Sequence, residues 1–126
     1  MNLNQVTLPA LDIAASATFY RRMGFTQIVD TPHYARFECP VGDATFSLHR
    51  VSHAVEITGV TVYFEDPQLD TLVARLLADG FEFIEPPTDQ RYLWREARLF
   101  DPAGNLICLY WAGEHRKNPP WRADLT

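Results

Sequence analysis

The chain repeats itself, and this repeat limits the folds that it can adopt. Each half carries a short Val-Thr-containing segment, then an aspartate, then a Gly-Phe pair. These marks stand at Val6–Leu8, Asp12 and Gly24-Phe25, and again at Val60–Val62, Asp66 and Gly80-Phe81. The offset between the copies grows from 54 to 56 positions after the aspartate. Two such copies are too few for a solenoid, so they predict one domain of two similar halves with a binding cleft between them.

Each half has the signals of one helix that follows a strand. Asp12 and Asp66 are predicted to be helix N-caps, because a carboxylate can accept hydrogen bonds from the free N–H groups of a first turn. Pro67 directly after Asp66 is suited to the first helical position. Gly24 and Gly80 stand where helices end with a residue of positive φ. Both helices are therefore predicted to end at these glycines.

The strands that follow each helix complete the predicted fold. The pattern reads as strand, helix and three strands, twice over, which is typical of an α+β domain with mixed, largely antiparallel sheets. A strand over Phe81–Ile84 is predicted to end at Pro86-Pro87, because proline cannot donate to a strand ladder. A chain of 126 residues favours a single domain, 1–126. We assign module 1 to about 3–52, module 2 to about 57–112, and an extended tail to 113–126.

Composition excludes several classes of function. The net charge is −5 and no basic stripe is present, so nucleic acid is not expected as a partner. No apolar run is long enough to cross a membrane, and the N-terminus has no signal-peptide pattern. Cys39 and Cys108 are far apart and lack metal-site spacing, which favours a reducing compartment without disulfides. These features together predict a cytoplasmic protein.

Three segments in a fixed order carry a family resemblance. The first runs from Val6–Leu8 through Asp12, Ser16 and Phe19-Tyr20 to Met23–Phe25. The second is the turn Asp101–Leu106, and the third is Arg95-Glu96 just before that turn. The arrangement resembles the vicinal oxygen chelate superfamily, which includes glyoxalase I, extradiol dioxygenases, and fosfomycin- and bleomycin-resistance proteins. The likeness covers roughly residues 3 to 112. It implies a glyoxalase-like fold, in which two βαβββ modules form an open U-shaped sheet, and a homodimer.

The same resemblance implies four positions for a divalent metal ion. They fall on Gln5, Ser47, Gly59 and Cys108, and only Gln5 is a ligand of the kind that the family uses. Glycine has no side chain, and a single cysteine without partners does not make a metal site. We therefore predict no metal and no cofactor. An alternative shifts the fourth strand by two residues, so that His49 joins Gln5 as a ligand.

Strand alternation identifies the side chains that line the predicted cleft. Successive side chains point to opposite faces of a sheet, so Trp94, Glu96 and Arg98 share one face and Leu93, Arg95, Ala97 and Leu99 the other. The second set is more apolar at one end and is predicted to face the helices. Cys108 and Tyr110 are predicted to share the cleft side of the last strand. The predicted ligand-binding residues are Gln5, Ser47, His49, Tyr63, Trp94, Glu96, Arg98, Cys108 and Tyr110.

These observations favour a metal-independent protein that binds a small organic molecule in the cleft, similar to the glyoxalase and bleomycin-resistance group. Stacking on aromatic side chains would hold the ligand, and Arg98 and Glu96 would fix its polar end. The alternative is a metal-dependent lyase, isomerase or dioxygenase of the vicinal oxygen chelate type. The sequence assigns no catalytic residue and leaves open whether the protein is an enzyme.

Overall fold

The computed structural model describes residues 1–53 and 59–125 and confirms the predicted α+β fold. Two helices and eight strands follow in the order βαβββ, βαβββ. They are β1 (Gln5–Ala10), α1 (Ile13–Met23), β2 (Thr26–Asp30), β3 (Tyr34–Glu38), β4 (Thr45–Arg50), β5 (Thr61–Glu65), α2 (Leu69–Ala78), β6 (Glu85–Asp89), β7 (Arg95–Phe100) and β8 (Leu106–Trp111). The predicted start of the second module, about residue 57, lies outside the described residues.

The chain divides into two compact units, Met1–Val60 with Asp101–Asn105, and Thr61–Phe100 with Leu106–Thr126. Each unit contains one four-stranded sheet with one helix on one face. The strand orders are β1-β4-β3-β2 and β5-β8-β7-β6. In both sheets the first pair is parallel and the others are antiparallel. Within residues 1–53 and 59–125, no helix has the length and apolar character needed to cross a membrane.

The first unit has an aromatic core between α1 and its sheet. Tyr20 of α1 is fully buried, and its ring lies 4.8 Å from that of Phe46 and 5.8 Å from that of Phe37. The Tyr20 hydroxyl donates to Asp101 Oδ2 at 2.7 Å, which satisfies a polar group inside the core. Asn105 Nδ2 in the same turn donates to the Pro9 carbonyl at 2.9 Å. The Asp101–Asn105 turn therefore belongs to the first unit.

The second unit has an aliphatic core on the helix side of its sheet. Leu69, Val73 and Leu76 are the buried residues of α2. Ala97 and Leu99 of β7 are completely buried, and Arg95 on the same strand face forms a two-pronged ion pair with Asp70 of α2. The predicted division of β7 into two faces is thus correct, with the Arg95, Ala97 and Leu99 side toward the helix. Trp94, Glu96 and Arg98 are left for the opposite face.

The two helices begin differently. Asp12 is the N-cap of α1, as predicted, and its carboxylate accepts from the Ala15 amide at 3.1 Å. The same prediction for Asp66 is wrong, because α2 starts at Leu69 after a turn and its N-cap is Gln68. Asp66 Oδ1 instead accepts from the Gln68 amide at 2.8 Å within that turn. The two N-caps, Asp12 and Gln68, are therefore 56 positions apart, whereas Asp12 and Asp66 are not structurally equivalent.

From the first strand to the start of the helix, the structural repeat consequently has an offset of 56 positions, and the later strands are 59 to 61 positions apart. Strands begin at Gln5 and Thr61, and helices begin at Ile13 and Leu69. The 54-position match of the Val-Thr segments is therefore two residues out of structural register. The likeness of these segments reflects strand composition rather than equivalent positions.

Two further sequence predictions need correction. Pro86 and Pro87 do not end a strand but lie inside β6, and the strand starts only at Glu85. This is possible because β6 is an edge strand with a register shift between Glu85 and Thr88, so the missing N–H groups leave no ladder bond unmade. The tail is also not wholly extended, because Gly113–Arg116 form a 3₁₀ helix.

Candidate functional site

Four aromatic side chains lie together on the helix-free side of the second sheet. We call them the aromatic face: Tyr63, Tyr92, Trp94 and Tyr110. Trp94 stacks on Tyr110, with ring centroids 4.8 Å apart and planes inclined by 21°. Tyr63 meets both rings edge-on, at 6.0 Å from Trp94 and 5.5 Å from Tyr110. Perpendicular and stacked rings at these distances are favourable arrangements of the aromatic quadrupoles.

A buried carboxylate lies next to the aromatic face. Glu96 is 1% exposed, and the Tyr92 hydroxyl donates to its Oε1 at 2.5 Å. Arg98 Nη2 donates to the same oxygen at 3.3 Å, and Arg98 Nε lies 3.9 Å from Glu85 Oε2. Burial raises the pKa of Tyr92 to about 12, and the hydrogen bond to Glu96 adds to this shift. Glu96 is thus a fixed internal acceptor that orients one phenol and one guanidinium.

Cys108 lies on the neighbouring strand β8, directly opposite Arg98 in the ladder. Its side chain is completely buried. Burial raises the pKa of the Cys108 thiol to about 12, and the negative charge of Glu96 acts in the same direction. Since the thiolate is the reactive form, Cys108 is a protonated and unreactive packing residue at neutral pH.

The start of the tail closes one end of the aromatic face. Glu65 Oε2 accepts from the Ala112 and Gly113 amides at 2.9 and 3.0 Å. Arg116 Nε lies 3.6 Å from Glu65 Oε1. The Trp94 indole N–H donates to the His115 carbonyl at 3.5 Å. The 3₁₀ helix thereby holds the edge of the Trp94 indole, and Tyr110 packs against its face.

A second group of polar side chains lies on the helix-free side of the first sheet. We call it the polar network: Gln5, Tyr34, Arg36, Thr45 and Ser47. The Gln5 amide donates to Ser47 Oγ at 2.6 Å, and the Thr45 hydroxyl donates to the Gln5 amide oxygen. Ser47 Oγ lies 2.5 Å from Tyr34 Oη, and either hydroxyl can donate. The network links β1, β4 and β3.

Arg36 completes the polar network from β3. Its Nε and Nη2 both donate to Tyr34 Oη, at 3.1 and 2.9 Å. The hydrogen bond with Ser47 lowers the pKa of Tyr34, and the hydrogen bonds from Arg36 lower it further. Both effects favour the ionised phenol, since donors stabilise a negative oxygen.

The positions at which the family resemblance implies a metal ion do not fit one. Ser47 is completely buried, and its hydroxyl is engaged by Gln5 and Tyr34. The Gln5 amide oxygen accepts from Thr45, and Cys108 keeps its proton. Within either unit, the described His, Cys, Asp and Glu residues form no group of three that could hold a metal ion. The side chains at the implied metal positions of the first sheet already form hydrogen bonds with other protein groups.

The implied position on the first strand of the second module, Gly59, also moves when the two ladders are compared. Thr7 pairs with Ser47 in the first sheet, and Tyr63 pairs with Cys108 in the second. The residue that corresponds to Gln5 is therefore Thr61, two positions before Tyr63. Gly59, to which the sequence repeat assigned it, precedes β5. A threonine hydroxyl is a weak ligand for a divalent ion when the other side chains of the set are also neutral.

The nine predicted ligand-binding residues fall into two groups, one in each unit. Gln5 and Ser47 are in direct contact, and the exposed His49 lies on the same side of β4 as Ser47. The second group contains Tyr63, Trp94, Glu96, Arg98, Cys108 and Tyr110. Sequence reasoning missed Tyr34, Arg36, Thr45 and Glu85 as members of these groups. Alternation along β3 was the available signal for Tyr34 and Arg36, since both lie on the face of their ladder partners His49 and Ser47.

Several solved structures share this fold. A glyoxalase/bleomycin resistance protein/dioxygenase from Nocardioides is 25% identical, with a TM-score of 0.72, and the match covers 98% of this chain and 90% of that one. A glyoxalase/bleomycin resistance protein/dioxygenase family enzyme from Burkholderia phytofirmans PsJN is 22% identical, with a TM-score of 0.72 and coverage of 89% and 99%. A bleomycin-binding protein in complex with bleomycin is 18% identical, with a TM-score of 0.72 and coverage of 88% and 98%.

Comparison with curated protein sequences finds no match. The family model of the Glyoxalase/Bleomycin resistance protein/Dioxygenase superfamily matches residues 2–109, which is most of the chain. With the βαβββ repeat, this match shows that the protein belongs to the Glyoxalase/Bleomycin resistance protein/Dioxygenase superfamily.

Proposed function

We propose that this protein binds a small planar organic molecule on its aromatic face, without a resident metal ion. The observation that carries the proposal is the stack of Trp94 on Tyr110 beside the buried Glu96 and its partly exposed partner Arg98. Ligand sites typically combine apolar and aromatic walls with a few fixed polar groups. The structural relative solved with bleomycin supports small-molecule binding within this fold.

The accessible parts of the site define what a ligand would meet. The side chain of Arg98 is 28% exposed, whereas that of Glu96 is 1% exposed. We therefore assign direct contact to Arg98 and a holding role to Glu96. Arg98 would donate to a carboxylate, carbonyl or similar acceptor at the polar end of the ligand, since its planar fork suits such groups. Tyr63, which is 42% exposed, would offer a further ring edge.

Ligand-binding measurements on matched variants test this assignment. A fragment set of planar aromatic acids and their amides is screened by thermal shift against the wild type. Hits should lose about tenfold in affinity in Trp94→Ala, since one aromatic contact contributes roughly 0.5–1.5 kcal/mol beyond burial. The Arg98→Ala variant should lose more affinity for the acids than for the amides. Trp111→Ala is the matched control, because Trp111 neighbours Tyr110 on β8 but lies on the helix side, beside Leu69 and Asp70.

Two results would contradict the proposal. Equal losses in Trp94→Ala and Trp111→Ala would mean that the aromatic face is not the binding surface. Stoichiometric retention of Zn²⁺, Ni²⁺, Mn²⁺ or Fe²⁺ after dialysis, abolished by Gln5→Ala, would favour the metal-dependent lyase, isomerase or dioxygenase instead. The engaged hydrogen bonds of Gln5 and Ser47 support the expectation that no ion is retained.

Three broader features stay predictions from the sequence. We expect a homodimer, a cytoplasmic location and no binding of nucleic acid. The free thiols of Cys39 and Cys108 and the net charge of −5 support the last two. Light scattering after size exclusion tests the first.

A further inference from the structure

The geometry of the polar network points to an anion-binding site on the first sheet, at which we propose that Arg36 binds a carboxylate group with Tyr34 as its positioning residue. The proposed site consists of residues of the first unit, and the aromatic face consists of residues of the second. It does not depend on the function proposed above, because it rests on residues of β1, β3 and β4 only.

The first support is the way in which Arg36 is held. An exposed arginine normally samples many rotamers, yet two of its donors, Nε and Nη2, converge on Tyr34 Oη. Tyr34 is fixed in turn by the buried Ser47, and Ser47 by Gln5. The guanidinium is therefore oriented before a ligand binds, so that Arg36 loses less conformational entropy on binding.

The second support is that the positive charge of Arg36 is not neutralised locally. Arg95, Arg98 and Arg116 each lie against at least one carboxylate. Among residues 1–53 and 59–125, by contrast, Arg36 has no carboxylate in ion-pair contact, and its hydrogen-bond acceptor is the Tyr34 hydroxyl group. In a chain with a net charge of −5, a fixed cation without a carboxylate is suited to an external anion.

The third support is the set of donors that stays available. Tyr34 occupies Nε and one hydrogen of Nη2, so Nη1 and the other hydrogen of Nη2 point elsewhere. These two groups form the second edge of the planar fork, which matches the two oxygens of a carboxylate. The side chain is exposed on the helix-free face of β3, so a ligand can reach it.

The test uses benzoate as the probe and benzamide as its neutral counterpart. Binding to the full-length protein is followed by amide chemical shifts in ¹H–¹⁵N spectra at low salt. We expect benzoate, but not benzamide, to perturb the amides of β3 and β4. Arg36→Gln should weaken benzoate binding roughly tenfold or more, since hydrogen bonds to charged groups are the strong ones. The benzoate affinity of Arg36→Lys should lie between those of the wild type and Arg36→Gln, because lysine keeps the charge but lacks the planar guanidinium.

Two further variants separate a built site from general electrostatics. Tyr34→Phe keeps the charge and removes the acceptor that orients Arg36, so it should weaken benzoate binding several-fold. Arg50→Gln is the control, because it removes the same charge from β4 on the opposite face of the sheet. Unchanged binding in Arg50→Gln with loss in Arg36→Gln supports the site. Equal losses in both variants, equal shifts with benzamide, or no benzoate-dependent shift in the wild type would overturn it.

Discussion

The indole of Trp94 lies on the phenol ring of Tyr110, with centroids 4.8 Å apart and ring planes inclined by 21°. Tyr110 is almost fully buried and stands on the central strand β8, whereas Trp94 precedes β7. The pair thus joins a rigid strand to a residue just outside the sheet. Its contribution to the free energy of unfolding should be separable from simple burial.

A double-mutant cycle measures this contribution. Trp94→Leu and Tyr110→Leu should be less than additive, with a coupling of about 0.5–1.5 kcal/mol in urea unfolding. Trp94→Leu combined with Leu77→Ala, on the exposed side of α2, should be additive. A coupling of zero between Trp94 and Tyr110 would show that their stacking adds nothing to area burial.

The starts of the two helices give a second prediction. Asp12→Ala should lower the free energy of unfolding by about 1 kcal/mol, because Asp12 caps the first turn of α1. Asp66→Ala should cost less, within about 0.5 kcal/mol, because Asp66 accepts from a turn residue before α2. Asp12→Asn, which retains an acceptor, should restore most of the loss. Equal costs for the two alanine variants would contradict the difference between these helix starts.

These two aspartates show where sequence reasoning stops. Hydrophobic periodicity and the Gly24 and Gly80 signals predicted both helices, because burial of one face decides whether a helix forms. Asp66-Pro67 has the composition of a helix start, yet Pro67 and Gln68 form a turn before α2. Only the tertiary position of α2 against its sheet decides that, and a single sequence does not contain it.

The sequence also predicted one of the two candidate groups better than the other. Alternation correctly separated Trp94, Glu96 and Arg98 from Arg95, Ala97 and Leu99, because the period of a strand is fixed by its geometry. Alternation gives no hydrogen-bond partners, so the convergence of Arg36 on Tyr34 was not foreseen. Pro86 and Pro87 were misread for a related reason, since their tolerance depends on the edge position of β6.

The buried thiol of Cys108 and the hydrogen-bonded phenol of Tyr92 predict a loss of stability at alkaline pH. The pKa of Cys108 is about 12 in the folded protein, against about 8.5 when exposed. A raised pKa gives stability that is complete below the unfolded value and is lost as the pH rises toward the folded value. The free energy of unfolding should therefore fall between about pH 8.5 and 12, by up to roughly 1.4 kcal/mol per pH unit for this thiol. Tyr92 acts in the same direction above about pH 10.

Urea unfolding at pH 7.5, 8.5 and 9.5 measures this effect. Cys108→Ala should be less stable at pH 7.5 but should lose less with rising pH than the wild type. Tyr34, whose pKa is lowered, works in the opposite direction, because its ionisation is favoured in the folded state. Tyr34→Phe should therefore make the alkaline loss steeper. The same pH dependence in Cys108→Ala and the wild type would show that this thiol is not responsible.

The two cysteines should also differ in reactivity. Cys39 is partly exposed and Cys108 is completely buried, and burial raises the pKa of both thiols. At pH 8 a thiol with a pKa of about 12 is ionised in only about one molecule in ten thousand, so Cys108 has almost no reactive thiolate. Ellman's reagent should label one thiol of the native protein and both after unfolding in guanidinium. Cys39→Ser should remove the native labelling, whereas Cys108→Ala should keep it at the wild-type rate. Rapid native labelling of Cys39→Ser would mean that Cys108 is accessible, and that the β8 side of the aromatic face opens in solution.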